Sequence, residues 1–362
     1  MNESNDSPSH LDDVTHSVVY RDDEEYCSWP FNVGMWVVND EVLVAFINHE
    51  CDYSVPDNLN HGRIETFGRI RLMRSSDGVT WEDGGIIADN PETTDSVLYG
   101  EQPTIDPHNF DNPETLLTCW SSPNSGDDEA TAWIRLSDDA GASWSKPLRL
   151  PGFTFPRIQG RPSYVVRDDG TVLLMLTARS ETDPYDRPVV YASYDGGVNW
   201  TFLGYIAGSD DYRMICPSPV ILEDGTLLAA VRCKPSVGAN WVEVYTSDDG
   251  GLSWEFLSRV NEHGEPGHLT LLEDGRLLCV YGYRHPPFGI RCKISADEGQ
   301  TWGREWILRD DGANYDLGYP RARELPDGRI VTSYYFNTEE EEISVGGGVR
   351  HIAATVFEPP IE

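Results

Sequence analysis

The sequence predicts an all-β, six-bladed β-propeller of four-stranded antiparallel blades, on the strength of two interleaved repeats and a pairing of the chain ends. The first repeat reads Ser-x-Asp-x-Gly-x-x-Trp: Ser137 to Trp144, Ser193 to Trp200, Ser247 to Trp254 and Ser295 to Trp302, with Ser75 to Trp81 one residue shorter. Their serines lie 62, 56, 54 and 48 residues apart, a period that fits an array whose unit holds several strands. The second repeat is an apolar run, an Asp-Gly pair and another apolar run. It occurs at Val165 to Met175, Val220 to Val231, Leu269 to Val280 and Ala322 to Thr332, with looser versions at Val37 to Phe46 and Thr104 to Trp120.

Asp-Gly between alternating hydrophobics is a strong hairpin signal. In the first repeat, Ser and Asp can tie down a tight turn, Gly supplies its φ and Trp anchors it. The unit is therefore strand, Asp-Gly turn, strand, variable loop, strand, Asp-motif turn, strand, and six such meanders set radially make a propeller. His351 to Phe357 ends the last unit, and Ser17 to Tyr20 is placed to add its outer strand and close the ring. A two-sheet sandwich of many short strands is the competing architecture. Residues 1–15 read as a disordered acidic terminus and residues 16–362 as one propeller domain.

Net charge is −34, from 61 acidic against 27 basic residues. Such an excess repels nucleic acid and anionic membranes, and its spread along the chain points to a halophilic host that screens it. No apolar leader or bilayer-length stretch occurs, so the expected location is the cytoplasm. The seven cysteines show no zinc spacing and mostly sit in or beside apolar runs, as small core residues do in a reducing compartment. Neither a metal nor another cofactor is expected.

Strand count locates the functional face. Within a blade the chain reverses three times, so the Asp-Gly and Asp-motif turns share one face. The opposite mouth is built from the variable loops and the linkers between blades. Those segments carry His49, Glu50, Asp52 and His61; Glu101; Arg157, Gln159 and Arg161; Arg232; Glu265 and His268; Arg284; and Asp316, Tyr319, Arg321 and Arg323. Arginine concentrated there in so acidic a chain suits a sugar bearing a carboxylate or sulfate.

The Ser-x-Asp motif is the Asp box, and five of them on a six-unit meander resemble the sialidase (neuraminidase) superfamily over about residues 30 to 357. Gly282 to Pro287, Asp316 to Arg321 and Arg350 to Thr355 look like a bacterial and archaeal sialidase-like subgroup. The resemblance implies arginines on a substrate carboxylate, an acid/base aspartate in the first-blade loop and a tyrosine nucleophile assisted by glutamate. Arg291 matches the last arginine of that set, Tyr319 is placed like the nucleophile, and Asp52 lies in the acid/base loop. No arginine stands in Phe31 to Trp36, and no glutamate in Met214 to Pro219.

The expected activity is exo-acting hydrolysis of a terminal acidic sugar. Asp52, His61, Glu101 and Tyr319 are the catalytic candidates; His49, Arg161, Arg232, Arg284, Arg291 and Arg321 are the substrate-binding ones. A hydrolase or lyase for another glycan, and a non-catalytic propeller that binds a glycan or protein, are the alternatives.

Overall fold

A computed structural model describes residues 7–54, 68–89, 102–122, 130–338 and 348–361. Six sheets, antiparallel except where the short strand Ser9–His10 joins one of them, surround one axis. Two N-terminal strands, β1 (Ser9–His10) and β2 (Thr15–Tyr20), serve later blades. Blade I holds β3 (Glu25–Ser28), a one-turn helix α1 (Pro30–Val33), β4 (Met35–Val38), β5 (Glu41–Glu50), β6 (Arg69–Ser75) and β7 (Glu82–Ala88). Blade II holds β8 (Leu116–Ser122), β9 (Thr131–Ser137) and β10 (Leu148–Arg149). Blade III is β11 (Arg157–Val166), β12 (Val172–Arg179), β13 (Arg187–Ser193) and β14 (Thr201–Tyr205). Blade IV is β15 (Arg213–Ile221), β16 (Leu227–Lys234), β17 (Trp241–Ser247) and β18 (Glu255–Arg259). Blade V is β19 (Gly267–Leu271), β20 (Leu277–Tyr283), β21 (Phe288–Ser295) and β22 (Trp306–Gly312). Blade VI is β23 (Gly318–Glu324), β24 (Ile330–Phe336) and β25 (His351–Phe357), with β2 as its outer strand.

Both repeats do what their chemistry requires. In each Asp box the Ser Oγ and Asp Oδ1 lie 2.8–3.0 Å apart, and the Ser oxygen accepts the amide of the box glycine. The Asp then accepts an amide further along, as from Asn199 at 2.8 Å, and Trp200 Nε1 donates to Gly197 O at 3.0 Å. The Asp-Gly turns are equally uniform. Leu222 N donates to Thr226 O and Leu272 N to Arg276 O, both at 2.9 Å, with Gly225 and Gly275 at φ 89° and 85°. Ring closure pairs Thr15 with Val356 and Ser17 with Ala354.

Two departures matter. The stretch 104–115, expected as the first arm of a blade II hairpin, forms no strand. Pro107 and Pro113 cannot donate to a ladder, Thr115 instead bonds to Asn112 O and Asn109 O, and His108 N is held by Gly196 O of the next blade. The place beside β8 is taken by α1, which packs on β5, β8, β11 and β23; Thr118 Oγ1 donates to Val33 O at 2.6 Å. In addition, the acidic terminus is engaged from Ser9 onward: β1 runs parallel to β22, and Leu11 and Val14 pack on the blade V–VI core.

The core is a set of apolar layers between neighbouring blades, such as Leu117, Ile134, Leu174, Tyr191 and Trp200. All seven cysteines are buried and unbridged. No helix among the described residues is long and apolar enough to cross a membrane.

Candidate active site at the mouth of the propeller

The inner strands share a device that places the site. Trp29-Pro30, Gly160-Arg161-Pro162, Cys216-Pro217 and Tyr319-Pro320 each interrupt an inner-strand ladder, and Glu265-Pro266 stands immediately before β19. A proline cannot donate to the ladder, so the strand bulges there. Trp29, Cys216 and Tyr319 adopt φ of 54°, 55° and 50°, a left-handed conformation that non-glycine residues hold only when their surroundings enforce it.

Tyr319 consequently meets residues of several blades. Its ring lies edge-on to Phe31 of α1 (centroids 6.3 Å apart) and tilted against Tyr335 of β24 (6.1 Å). Its hydroxyl accepts from Arg232 Nη1 of β16 at 2.8 Å. Arg232 is also ion-paired with Glu265, whose other oxygen lies 3.7 Å from Arg284 Nη1. The guanidinium carbons of Arg232 and Arg284 are 5.7 and 5.1 Å from the Tyr319 ring centroid.

The network continues to a second buried carboxylate. Arg284 Nη2 donates to the Tyr335 hydroxyl at 2.7 Å, and that hydroxyl donates to Asp316 Oδ1 at 3.0 Å. Asp316 Oδ2 accepts from Tyr26 at 2.7 Å and from Arg350 Nε at 3.1 Å. Burial pushes the Tyr26 and Tyr335 hydroxyls well above their usual range, so both remain donors at neutral pH.

A lateral cluster lies between blades III and IV. The fully buried Asp186 accepts from Arg179 Nε at 3.0 Å and Arg213 Nε at 2.6 Å, with Arg157 Nη1 at 3.9 Å. Burial alone would raise this carboxyl, but Arg213, Arg157 and Arg179 overcome it and leave it below the ordinary range. Three guanidiniums surround this one carboxylate, and Arg179 and Arg213 stay partly open to solvent.

Among the predicted residues, Tyr319, Arg232 and Arg284 come together at the centre. His49 is buried edge-on to Trp29, neither ring nitrogen has a hydrogen-bond partner among the described residues, and burial lowers it to about 4. Asp52 is exposed and tied to the Ser54 hydroxyl (2.6 Å) and amide (2.9 Å). Its neighbour Tyr53 is pinned inward, donating to Glu25 O and accepting from Arg350 N. Arg291 lies within blade V, bonded to Glu305 at 2.6 Å and stacked on Tyr283. Arg321 sits beyond Phe31 from Tyr319, donating to Phe31 O at 2.8 and 3.1 Å. His61 and Glu101 lie outside the described residues, as does the side chain of Arg161.

Glu265, Asp316, Tyr335, Tyr26 and Arg350 complete the network without having been assigned roles from the sequence. The recurring X-Pro at the inner strands was the usable signal for Glu265 and Tyr319. No group of three metal-ligating side chains forms among the described residues. A groove of about 580 Å³ on the flank of blades II and III is lined by Phe155, Trp200 and a single charged residue, Arg149, so the chemistry is not there.

A six-bladed meander with Asp boxes on one face and a buried Arg–Tyr–carboxylate network at the other mouth has a sialidase-like propeller fold. The model of the BNR repeat-like domain matches residues 61–332, and the chain belongs to that family. Comparison with curated proteins gives no match. Among solved structures, a protein of unknown function from Dyadobacter fermentans is 24% identical with a TM-score of 0.76, over 96% of this chain and 100% of that one. The Hadza microbial sialidase Hz136 is 15% identical at TM-score 0.61, over 92% of this chain and 66% of its own. The Penicillium chrysogenum alpha-L-arabinanase complexed with arabinobiose is 13% identical at 0.62, over 97% and 99%. At such identities the likeness is one of fold, and its neighbours include glycoside hydrolases.

Proposed function

We propose that this protein is an exo-acting glycoside hydrolase that releases a terminal, acidic sugar, with Tyr319 as nucleophile. One observation carries the reading: the Tyr319 hydroxyl accepts from Arg232, which is ion-paired with the buried Glu265. A phenol is a poor nucleophile at neutral pH because it holds its proton, and nearby positive charge favours the phenolate. The cations beside this ring supply that, with Glu265 fixing their positions. The phenolate oxygen would bond to the anomeric carbon as the leaving oxygen departs with a proton, and water would then release the sugar. Asp52, His61 and Glu101, on or next to the blade I loops, are the candidates for moving that proton. The partly exposed guanidiniums of Arg179 and Arg213, more numerous than the one carboxylate they share, support an acidic substrate.

Binding without catalysis is the second reading, favoured by the exposure of Asp52 and its bonds to Ser54. A panel of aryl glycosides and acidic oligosaccharides separates the two. Release of sugar, reduced ~10²-fold or more in kcat by Tyr319→Phe with the fold intact, supports the hydrolase. Saturable glycan binding with no release from any substrate supports the binding module, and release of only a neutral sugar removes the acidic-substrate claim.

A further inference from the structure

We propose that the other end of the central channel, on the Asp-box face, binds a small oxyanion through Arg323, Arg321 and Tyr164. A cavity of about 160 Å³ opens there, lined by Trp36, Leu117, Tyr164, Val166, Arg321 and Arg323 among others. The plug formed by α1 separates it from Tyr319: Phe31 is fully buried, with Tyr319 against one edge and the Arg321 guanidinium 5.4 Å from its ring centroid. This site is therefore distinct from the mouth described above.

Three features make it an anion site. Arg321 and Arg323 are two apart on β23, so both project from one face of the strand into the same wall. Arg323 Nη1 donates to Ala322 O at 3.0 Å and faces His268 Nε2 at 3.4 Å, and no carboxylate among the described residues pairs with it. That is unusual where acids outnumber bases by 61 to 27. The Tyr164 hydroxyl accepts from Trp36 Nε1 at 3.1 Å and Leu117 N at 3.3 Å, which uses its acceptor sites and leaves its proton to donate. No acceptor for that proton occurs among the described residues.

Electrostatics agree with the geometry. Burial, then Arg323, brings Arg321 down to about 9, and burial lowers Arg323 too, so two like charges are held together at a cost that a bound anion would relieve. Burial and both arginines hold His268 neutral, so the positive charge of the site is that of the two guanidiniums. The apolar walls from Val33, Trp36 and Leu117 exclude water and strengthen each charge-assisted bond. The volume admits one carboxylate or phosphate group of a small molecule rather than a chain of sugars.

The test is titration of the purified protein with inorganic phosphate and, in a second arm, acetate, at constant ionic strength set with potassium chloride. Calorimetry and the thermal midpoint are read together. Saturable one-to-one binding is expected, weakened about tenfold or more by Arg323→Gln and less by Tyr164→Phe, and unchanged by Arg329→Gln, a cation on the same face already paired with Asp327. The arm that binds tighter tells whether a phosphate ester or a carboxylate is the occupant. Should Arg323→Gln not fold, Tyr164→Phe and ³¹P line broadening on the unaltered protein give the same decision. Failure of both anions to saturate, or equal affinity in Arg323→Gln, overturns the proposal.

Discussion

Replacing Asp316 by Asn should be among the most damaging single changes in this protein. The carboxylate is 3% exposed and receives Tyr26, Tyr335 and Arg350, whose guanidinium-bearing side chain is itself 1% exposed. Asn keeps the size and one oxygen acceptor, so one phenol retains its bond. The amide nitrogen, however, faces a donor, and Arg350 is left as a buried cation whose counter-ion has gone. Removing one partner of a buried ion pair costs about 3–5 kcal/mol, of which the retained phenol bond offsets roughly 1, leaving a loss of about 3 kcal/mol. Urea unfolding at fixed salt, followed by tryptophan fluorescence and far-ultraviolet circular dichroism, measures it as a lower midpoint at unchanged slope. The paired change Asp316→Asn with Arg350→Met removes both charges while keeping an acceptor for one phenol and should recover most of the loss. A loss below ~1 kcal/mol for Asp316→Asn, or a paired variant worse than the single one, refutes the claim that desolvated charge dominates here.

Other consequences follow from local geometry. His49 is held neutral by burial, with its folded pKa of about 4 below the unfolded 6.5, so the unfolded chain takes up the proton first as pH falls. Stability should decline from pH 6.5 toward 4 by about 3 kcal/mol on this account, and His49→Phe should flatten that part of the profile in denaturation series. Below that window the Asp boxes take over, since backbone and Ser hydrogen bonds hold Asp77 and Asp249 down to about 2; the corresponding loss comes between pH 4 and 2 and should shrink in Asp249→Asn. Gly196→Ala would set a methyl 2.4 Å from His108 O at φ 69° and should cost about 2–4 kcal/mol. Gly225→Ala, at φ 89° in open space, should cost only about 1. With a net charge of −34, the thermal midpoint should rise with potassium chloride well beyond the Debye-screened range typical of neutral proteins; a flat salt response would remove the halophilic reading.

How much of this was legible in the sequence depends on the distance over which each feature is decided. Asp boxes and Asp-Gly turns are settled within eight residues, and their hydrogen bonds match the motif atom for atom. Register and blade count followed from them. The plug did not: Pro30, Phe31 and Asn32 read like the continuation of a strand. What makes them a helical turn is Trp29 in a left-handed conformation and a vacancy beside β8 that the chain fills from another blade. The hubs of the site were visible only as charged residues on the right face. Tyr26 and Asp316 meet across 290 positions, and no local pattern could assign Asp316 to Tyr26 rather than to a neighbouring arginine. Arg321 shows the same limit in reverse: its place on the inner strand was readable, but the side of Phe31 on which its guanidinium lies was not.

The closure of blade VI by β2 has a kinetic side. His16 bonds Thr355 across 339 positions, a contact whose loop-closure entropy is among the largest the chain can incur. The seam therefore belongs to the late, slow part of assembly, after the blades have formed from their local hairpins. Until it forms, β25, buried along its whole length in the finished ring, is a bare edge able to pair with another molecule. A circular permutant opened at the exposed turn of Gly225, with residues 1 and 362 joined, would turn that longest contact into a local one. It should fold faster and swap strands less while keeping every blade intact.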